Sequence, residues 1–189
     1  METGGPAGYK RADELGGVMT ETRLDKIIKA AEVYGERSFD NYAQVRSIAE
    51  QIRDGLCAWL DGGAPCVFLV PPQGPFMAQN YRSAAFSVAG KGFLPLEPIS
   101  FGLAVRISGE GDYMRLVMTC RKEGNRMFIT VEDRNQYEVD LPIGDESLTG
   151  FFEDIYEYLH HWFTDRVEKY DHGSYGSSDI GFDIQRVED

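Results

Sequence analysis

Between Ile99 and Leu141 the chain alternates apolar and polar side chains in four successive runs. In the first, Ile99, Phe101, Leu103, Val105 and Ile107 alternate with Ser100, Gly102, Ala104, Arg106 and Ser108. The apolar sets of the next three are Met114, Leu116, Met118 and Cys120; then Met127, Ile129 and Val131; then Tyr137, Val139 and Leu141. A period of two means extended strands with one face on a core and the other turned away. Slipping any strand by one residue would drive its whole apolar set outward, so the parity of each pairing is tightly constrained. The pattern predicts an antiparallel meander.

Turn chemistry proposes a register. A two-residue turn on Glu110-Gly111 places Ile107 opposite Met114 and Val105 opposite Leu116. A second on Glu123-Gly124 places Cys120 opposite Met127 and Met118 opposite Ile129. A three-residue loop, Asp133-Arg134-Asn135, closes the third hairpin. On the outer face this aligns Arg106 with Arg115 and Glu132, and Arg121 with Arg126, with Val117 and Phe128 between them. Directly opposed arginines cost up to ~1 kcal/mol per pair unless relieved. Glu132, an anion or an acidic partner would relieve them, as would splaying into water. Arg106, Arg115, Phe128 and Glu132 are therefore candidates for partner binding.

Helical spacing marks the flanking elements. Leu24, Ile27, Ile28, Ala31 and Tyr34 predict a first helix over 21–34, capped by Thr20 or Thr22 and broken at Gly35. Tyr42, Val45, Ala49, Ile52, Leu56 and Trp59 predict a second over 41–60, ended by Asp61-Gly62-Gly63. Cys66–Val70 reads as a buried strand, Pro71–Pro75 as a rigid irregular loop, and 84–89 as a short strand. The widest apolar stripe runs from Leu148 through Phe151, Phe152, Ile155, Tyr158, Leu159, Trp162, Phe163 and Val167 to Tyr170. It predicts a long helix, capped by Asp145 or Ser147, lying across the inner face of the meander. Ile180–Ile184 alternates as an edge strand. The expected fold is α+β: an antiparallel β-meander of about five to six strands, two N-terminal helices, and one long C-terminal helix packed on one face. Gly-rich residues 1–18 read as a flexible arm, and 19–189 as a single domain.

Charge is distributed unevenly. Residues 1–131 carry 15 acidic and 15 basic side chains, which cancel; residues 132–189 carry 16 and 4, which accounts for the whole net charge of −12. An acidic surface of this kind repels nucleic acid and anionic membrane and attracts basic partners. Glu153, Asp154 and Glu157, on the polar side of the last helix, are the candidates on that surface. The chain shows neither an apolar run of spanning length nor a secretory pattern, so a cytoplasmic protein is expected. Cys57, Cys66 and Cys120 lie in apolar segments and read as buried free thiols.

Catalytic and cofactor motifs are absent from the sequence. His161 and Asp165 share a helix face at ligand spacing but have no second ligand pair. Asp171, His172 and Ser174 sit together in a Gly/Ser loop without the rigid frame that a triad requires. Neither a Gly-rich phosphate loop nor paired Cys spacing is present. No metal or cofactor is expected. In size, acidity and its mix of sheet with flanking helices, the chain is loosely similar to type III secretion chaperones. That similarity implies a protein-holding role and rests on proportions rather than on a motif. The reading is a non-catalytic interaction module whose acidic C-terminal surface or outer sheet face binds a protein partner, with a basic partner favoured by the charge. Homodimerisation through the sheet face or the second helix fits the same surfaces. Two alternatives are a small enzyme or ligand-binding domain with a pocket between meander and N-terminal helices near Pro71–Tyr81, and an acidic mimic of nucleic acid.

Overall fold

A computed structural model describes residues 21–63, 65–132, 134, 136–144, 146–174 and 183–186. The expected arm over 1–18 lies outside them. Among the described residues the architecture is α+β, with a six-stranded antiparallel sheet and two α-helices. The elements are α1 (Arg23–Trp59), β1 (Val67–Val70), β2 (Ile99–Arg106), β3 (Asp112–Glu123), β4 (Arg126–Val131), β5 (Gln136–Asp140), α2 (Thr149–Asp171) and β6 (Asp183–Arg186). The strand order is β1-β2-β3-β4-β5. β3 is long enough to serve two neighbours: it pairs with β4 through 118–123 and with β6 through 112–115.

Parity is as the alternation requires. Leu103, Leu116 and Ile129 are fully buried on the inner face, with Phe101, Met114, Met118 and Met127. Val45, Ile48, Ala49, Ile52 and Leu56 of α1 complete the same core, as do Phe151, Phe152 and Ile155 of α2. Each hairpin nevertheless differs from its expected register by two residues. Val105 faces Met114, Cys120 faces Ile129, and Thr130 faces Gln136. A shift of two keeps every side chain on its face, so burial cannot oppose it; the turns decide. At the first turn the Ser108 hydroxyl accepts from the Glu110 and Asp112 amides and donates to the Asp112 carboxylate, which organises a four-residue loop over 108–111. At the second, Gly124 takes φ +60° as the leading turn residue, so the turn is Gly124-Asn125. At the third, Glu132 adopts φ 52° and donates its amide to Val117, which lengthens the loop.

The helices depart from expectation in three ways. α1 is one helix of 37 residues, running through Gly35 rather than breaking there. A mid-helix glycine weakens a helix by only ~1 kcal/mol, and no proline follows to stop it. Thr22 forms a capping box with Asp25, and Asp61 rather than a glycine takes the left-handed position after the helix end. α2 begins at Thr149 with no side-chain cap, so Ser147 does not serve; Asp145 lies outside the described residues. The first four turns of α2 meet the core, with Phe151, Phe152 and Ile155 buried and Tyr158, Leu159 and Trp162 packed against it; beyond them Phe163, Val167 and Tyr170 are exposed. Residues 82–85 form a 3-10 turn, and Phe86 makes only an isolated bridge to Phe101, so the expected strand over 84–89 is absent.

Two of the cysteines are not free thiols. The turn after α1 returns the chain on itself, bringing the Cα atoms of Cys57 and Cys66 to 5.6 Å, and a disulfide joins them. Cys120 is free and buried in the inner row of β3, where desolvation pushes its thiol up to about 12. In the folded protein no cysteine should react with a thiol reagent at pH 8. Denaturation without reductant should expose one reactive thiol, and with reductant three. The unfolded chain ionises Cys120 above its ordinary value of 9.0 while the folded chain does not, so stability should fall as pH rises from about 9 towards about 12.

Helix packing predicts opposite effects at two glycines of α1. A Cβ on Gly55 would lie 2.7 Å from the buried Phe152 ring of α2, whereas one on Gly35 meets nothing within 4 Å. Gly55→Ala should destabilise by about 1–3 kcal/mol, and Gly35→Ala should stabilise by about 0.5–1 kcal/mol. Urea denaturation midpoints check both.

Candidate partner-binding site

The expected outer-face strip does not form as one site. Arg115 is buried, because the proline loop folds down onto it: its guanidinium donates to the carbonyls of Pro71 (3.2 Å) and Gly74 (2.6 Å) and lies 5.0 Å from the centre of the Phe76 ring. The loop can descend there because residue 102 is glycine. A Cβ at that position would stand 2.7 Å from the Pro71 carbonyl oxygen. Val70, Phe76, Ala104 and Tyr113 make a small second core under the loop. Half of the outer sheet face is thus covered by the chain itself.

The remaining strip residues are dispersed. Arg106 faces Tyr113 rather than Arg115, is exposed, and reaches the Gly62 carbonyl at 3.4 Å. Phe128 is half-buried between the guanidinium groups of Arg121 (4.8 Å) and Arg126 (5.7 Å). Those arginines do not oppose one another. Arg121 pairs with Glu123, and Arg126 with Glu138 at 2.6 Å. Glu132 caps the end of β4 and is half-buried. The two-residue change of register removes both arginine–arginine contacts, and with them the electrostatic reason for an anion on this face.

A different arrangement exists at the far edge of the sheet. α2 rises from the core beside β5 and the end of β4, leaving an open cleft of about 310 Å³. One wall is helical: Asp154, Glu157 and His161 stand at i, i+3 and i+7, a spacing that puts them on one side of α2. The floor is apolar, from Val131, Phe151 and Ile155. Arg134 and Tyr137 line the opposite side. The Arg134 guanidinium sits 3.8 Å above the Tyr158 ring, an aromatic–cation contact that fixes the mouth of the cleft. Burial, opposed by the nearby Arg134 charge, holds the Tyr158 hydroxyl above its ordinary range.

Two of the acidic candidates, Asp154 and Glu157, are exposed on the cleft wall; Glu153 is exposed elsewhere on α2. Arg134 and Tyr158 were not legible as site residues. Arg134 reads as a turn residue, and Tyr158 as one more member of the apolar stripe. The cleft also sits beside a sheet edge, since β5 pairs with β4 alone among the described residues. The opposite edge is closed: Asn80 accepts from the Leu69 amide, and the Tyr81 amide donates to the Leu69 carbonyl. Among the described residues no three His, Cys, Asp or Glu side chains gather as a metal site, and no helix is long and apolar enough to cross a membrane.

Removing the Arg115 guanidinium strands two carbonyls under the proline loop. Arg115→Met should cost about 1–3 kcal/mol, and Arg106→Met should stay within about 0.5 kcal/mol; denaturant unfolding of both measures the contrast. No protein-family model, curated protein or solved structure matches this chain.

Proposed function

We propose that this protein is a non-catalytic interaction module that holds a basic segment of a partner protein in the cleft between α2 and β5. One observation carries the reading: two exposed carboxylates, Asp154 and Glu157, stand on the wall of an open cleft whose floor is apolar. That combination suits a Lys or Arg side chain flanked by apolar neighbours, with the charge at the rim and the stem against the floor. Asp165 and Glu168 continue the same side of α2 at helical spacing, so the acidic wall extends beyond the cleft and would steer a basic partner towards it. The free edge of β5 supports an extended segment, which could add a strand there while its side chains enter the cleft.

A cytoplasmic setting belongs to this reading. The Cys57–Cys66 disulfide argues the other way, because disulfides persist in oxidising compartments. Alkylating the protein at the moment of cell lysis decides between them: a cytoplasmic pool should carry both cysteines as thiols that join only when the cell's reductants are removed, and a pool from an oxidising compartment should carry them already joined.

The test is a titration of fluorescent peptides that combine Lys or Arg with an aromatic residue, followed by anisotropy at low and physiological salt. Asp154→Lys with Glu157→Lys should weaken binding about tenfold or more, which is about 1.4 kcal/mol. Glu153→Lys, which neighbours Glu157 but does not line the cleft, should weaken binding less than the double variant does. Absence of binding at low salt, or equal binding by the double variant, removes the proposal.

A further inference from the structure

The N-terminal part of α1 projects beyond the sheet. Every residue from 21 to 34 is exposed, although the helix continues unbroken into the core. At about 1.5 Å per residue, the helical part of this overhang extends roughly 18 Å into solvent. It is not polar all round. Leu24, Ile27, Ile28, Ala31 and Tyr34 continue the side of the helix that further on buries Val45, Ile48, Ala49, Ile52 and Leu56. Leu24 is 62% and Ile27 66% exposed. The patch extends sideways onto the loop before β2. There Phe93 stacks on Tyr34 at 5.2 Å, the Leu96 amide donates to the Tyr34 hydroxyl, and both Phe93 and Leu96 are exposed. Together these side chains present on the order of 600 Å² of apolar surface, the top of the ~300–600 Å² range for the largest patch on a monomer. That approaches the ~800 Å² which each partner contributes to a stable interface.

We propose that this overhang is a self-association surface on which two copies of the chain pair in parallel, with the two-fold axis running along the helices. Charge selects the occupant. Residues 21–37 hold four acids, Glu21, Asp25, Glu32 and Glu36, and four bases, Arg23, Lys26, Lys29 and Arg37, so the overhang is neutral in a chain of net charge −12. A second copy meets no net repulsion there, and a basic partner finds no net attraction.

At about 100° per residue, Asp25, Glu32 and Glu36 fall on one flank of the apolar stripe and Arg23, Lys26 and Arg37 on the other; Lys29 lies behind the acidic flank, where it pairs with Glu21 at 2.6 Å. Two-fold symmetry along the helix places the acidic flank of each copy beside the basic flank of its partner, on both sides of the seam. An antiparallel pair would set acid against acid and base against base. A membrane-surface helix would carry basic residues on both flanks, and here one flank is acidic. This pairing is independent of the cleft on α2.

The test uses the full chain. Light scattering coupled to size exclusion should report a dimer at micromolar concentration. Ile27→Glu should convert it to a monomer while leaving the circular dichroism spectrum unchanged, and should lower Tm by no more than diluting the parent to its monomer does, since Ile27 is 66% exposed and outside the core. Leu24→Cys tests the orientation. In a parallel pair residue 24 meets its own copy, so an added two-electron oxidant should join the two thiols as one disulfide with loss of two protons. In an antiparallel pair it should not. Glu32→Lys with Glu36→Lys makes the acidic flank basic apart from the capping Asp25 and should weaken the dimer. Mixing that chain with one carrying Arg23→Glu, Lys26→Glu and Arg37→Glu should restore a heterodimer. A monomeric parent chain, an Ile27→Glu dimer, or a dimer that Leu24→Cys does not cross-link would overturn the proposal.

Discussion

Burial of the inner row of β3 is the contact on which the rest of the structure depends. Met114, Leu116, Met118 and Cys120 are each at most 1% exposed, and they lie where all the other layers meet. β2 is paired on one side, β4 and β6 share the other, and the helices close the face above. Burying a large apolar side chain contributes about 1.5–3 kcal/mol, so inverting this strand would forfeit several such contributions at once. That cost fixes which face of every strand looks inward. It does not fix which residue faces which, because a shift of two preserves burial. Register therefore passes to the turns, where a serine hydroxyl, one glycine and one left-handed glutamate choose offsets that the apolar pattern leaves open.

The outer face follows from those offsets. With Arg115 beside Ala104 rather than Arg106, its guanidinium has room to turn under the proline loop, where two carbonyls and an aromatic ring receive it. A buried cation needs such hydrogen bonds to offset its desolvation. In meeting them it pins the loop and closes one half of the sheet. The other half keeps its charges balanced within itself, through Arg121–Glu123 and Arg126–Glu138. The open cleft lies instead at the sheet edge, where α2 and β5 diverge.

Both helices are longer than the sheet they cover. α1 overhangs at its N-terminal end and α2 at its C-terminal end, and each carries its apolar stripe past the last core contact. Helices of this kind draw most of their stability from packing rather than propensity. The two overhangs differ in charge: that of α1 is balanced, while α2 carries an acidic wall. This difference is why we propose a like copy for the first and a basic partner for the second.

Much of the architecture was legible in the sequence because it depends on periodicity. The four-strand alternation, the inward set of each strand and the helical character of the segments on either side of the sheet follow from spacings of two or of three and four, while the choice of Thr22 over Thr20 as the cap and the fusion of the two expected N-terminal helices into one do not. Asp154 and Glu157 were legible for the same reason, as acids opposite an apolar stripe. The turn offsets, the burial of Arg115, the Cys57–Cys66 pairing and the approach of Arg134 to Tyr158 were not. Each depends on residues far apart in the chain meeting in space, and local pattern carries no distance information across such separations. Gly35 illustrates the boundary: its composition signals a break, yet the surrounding helix tolerates the small cost and continues. The sequence alone determined which side of each element is apolar; only the tertiary structure decided how far each apolar side is covered, because coverage depends on the relative lengths and placement of elements that no single segment encodes.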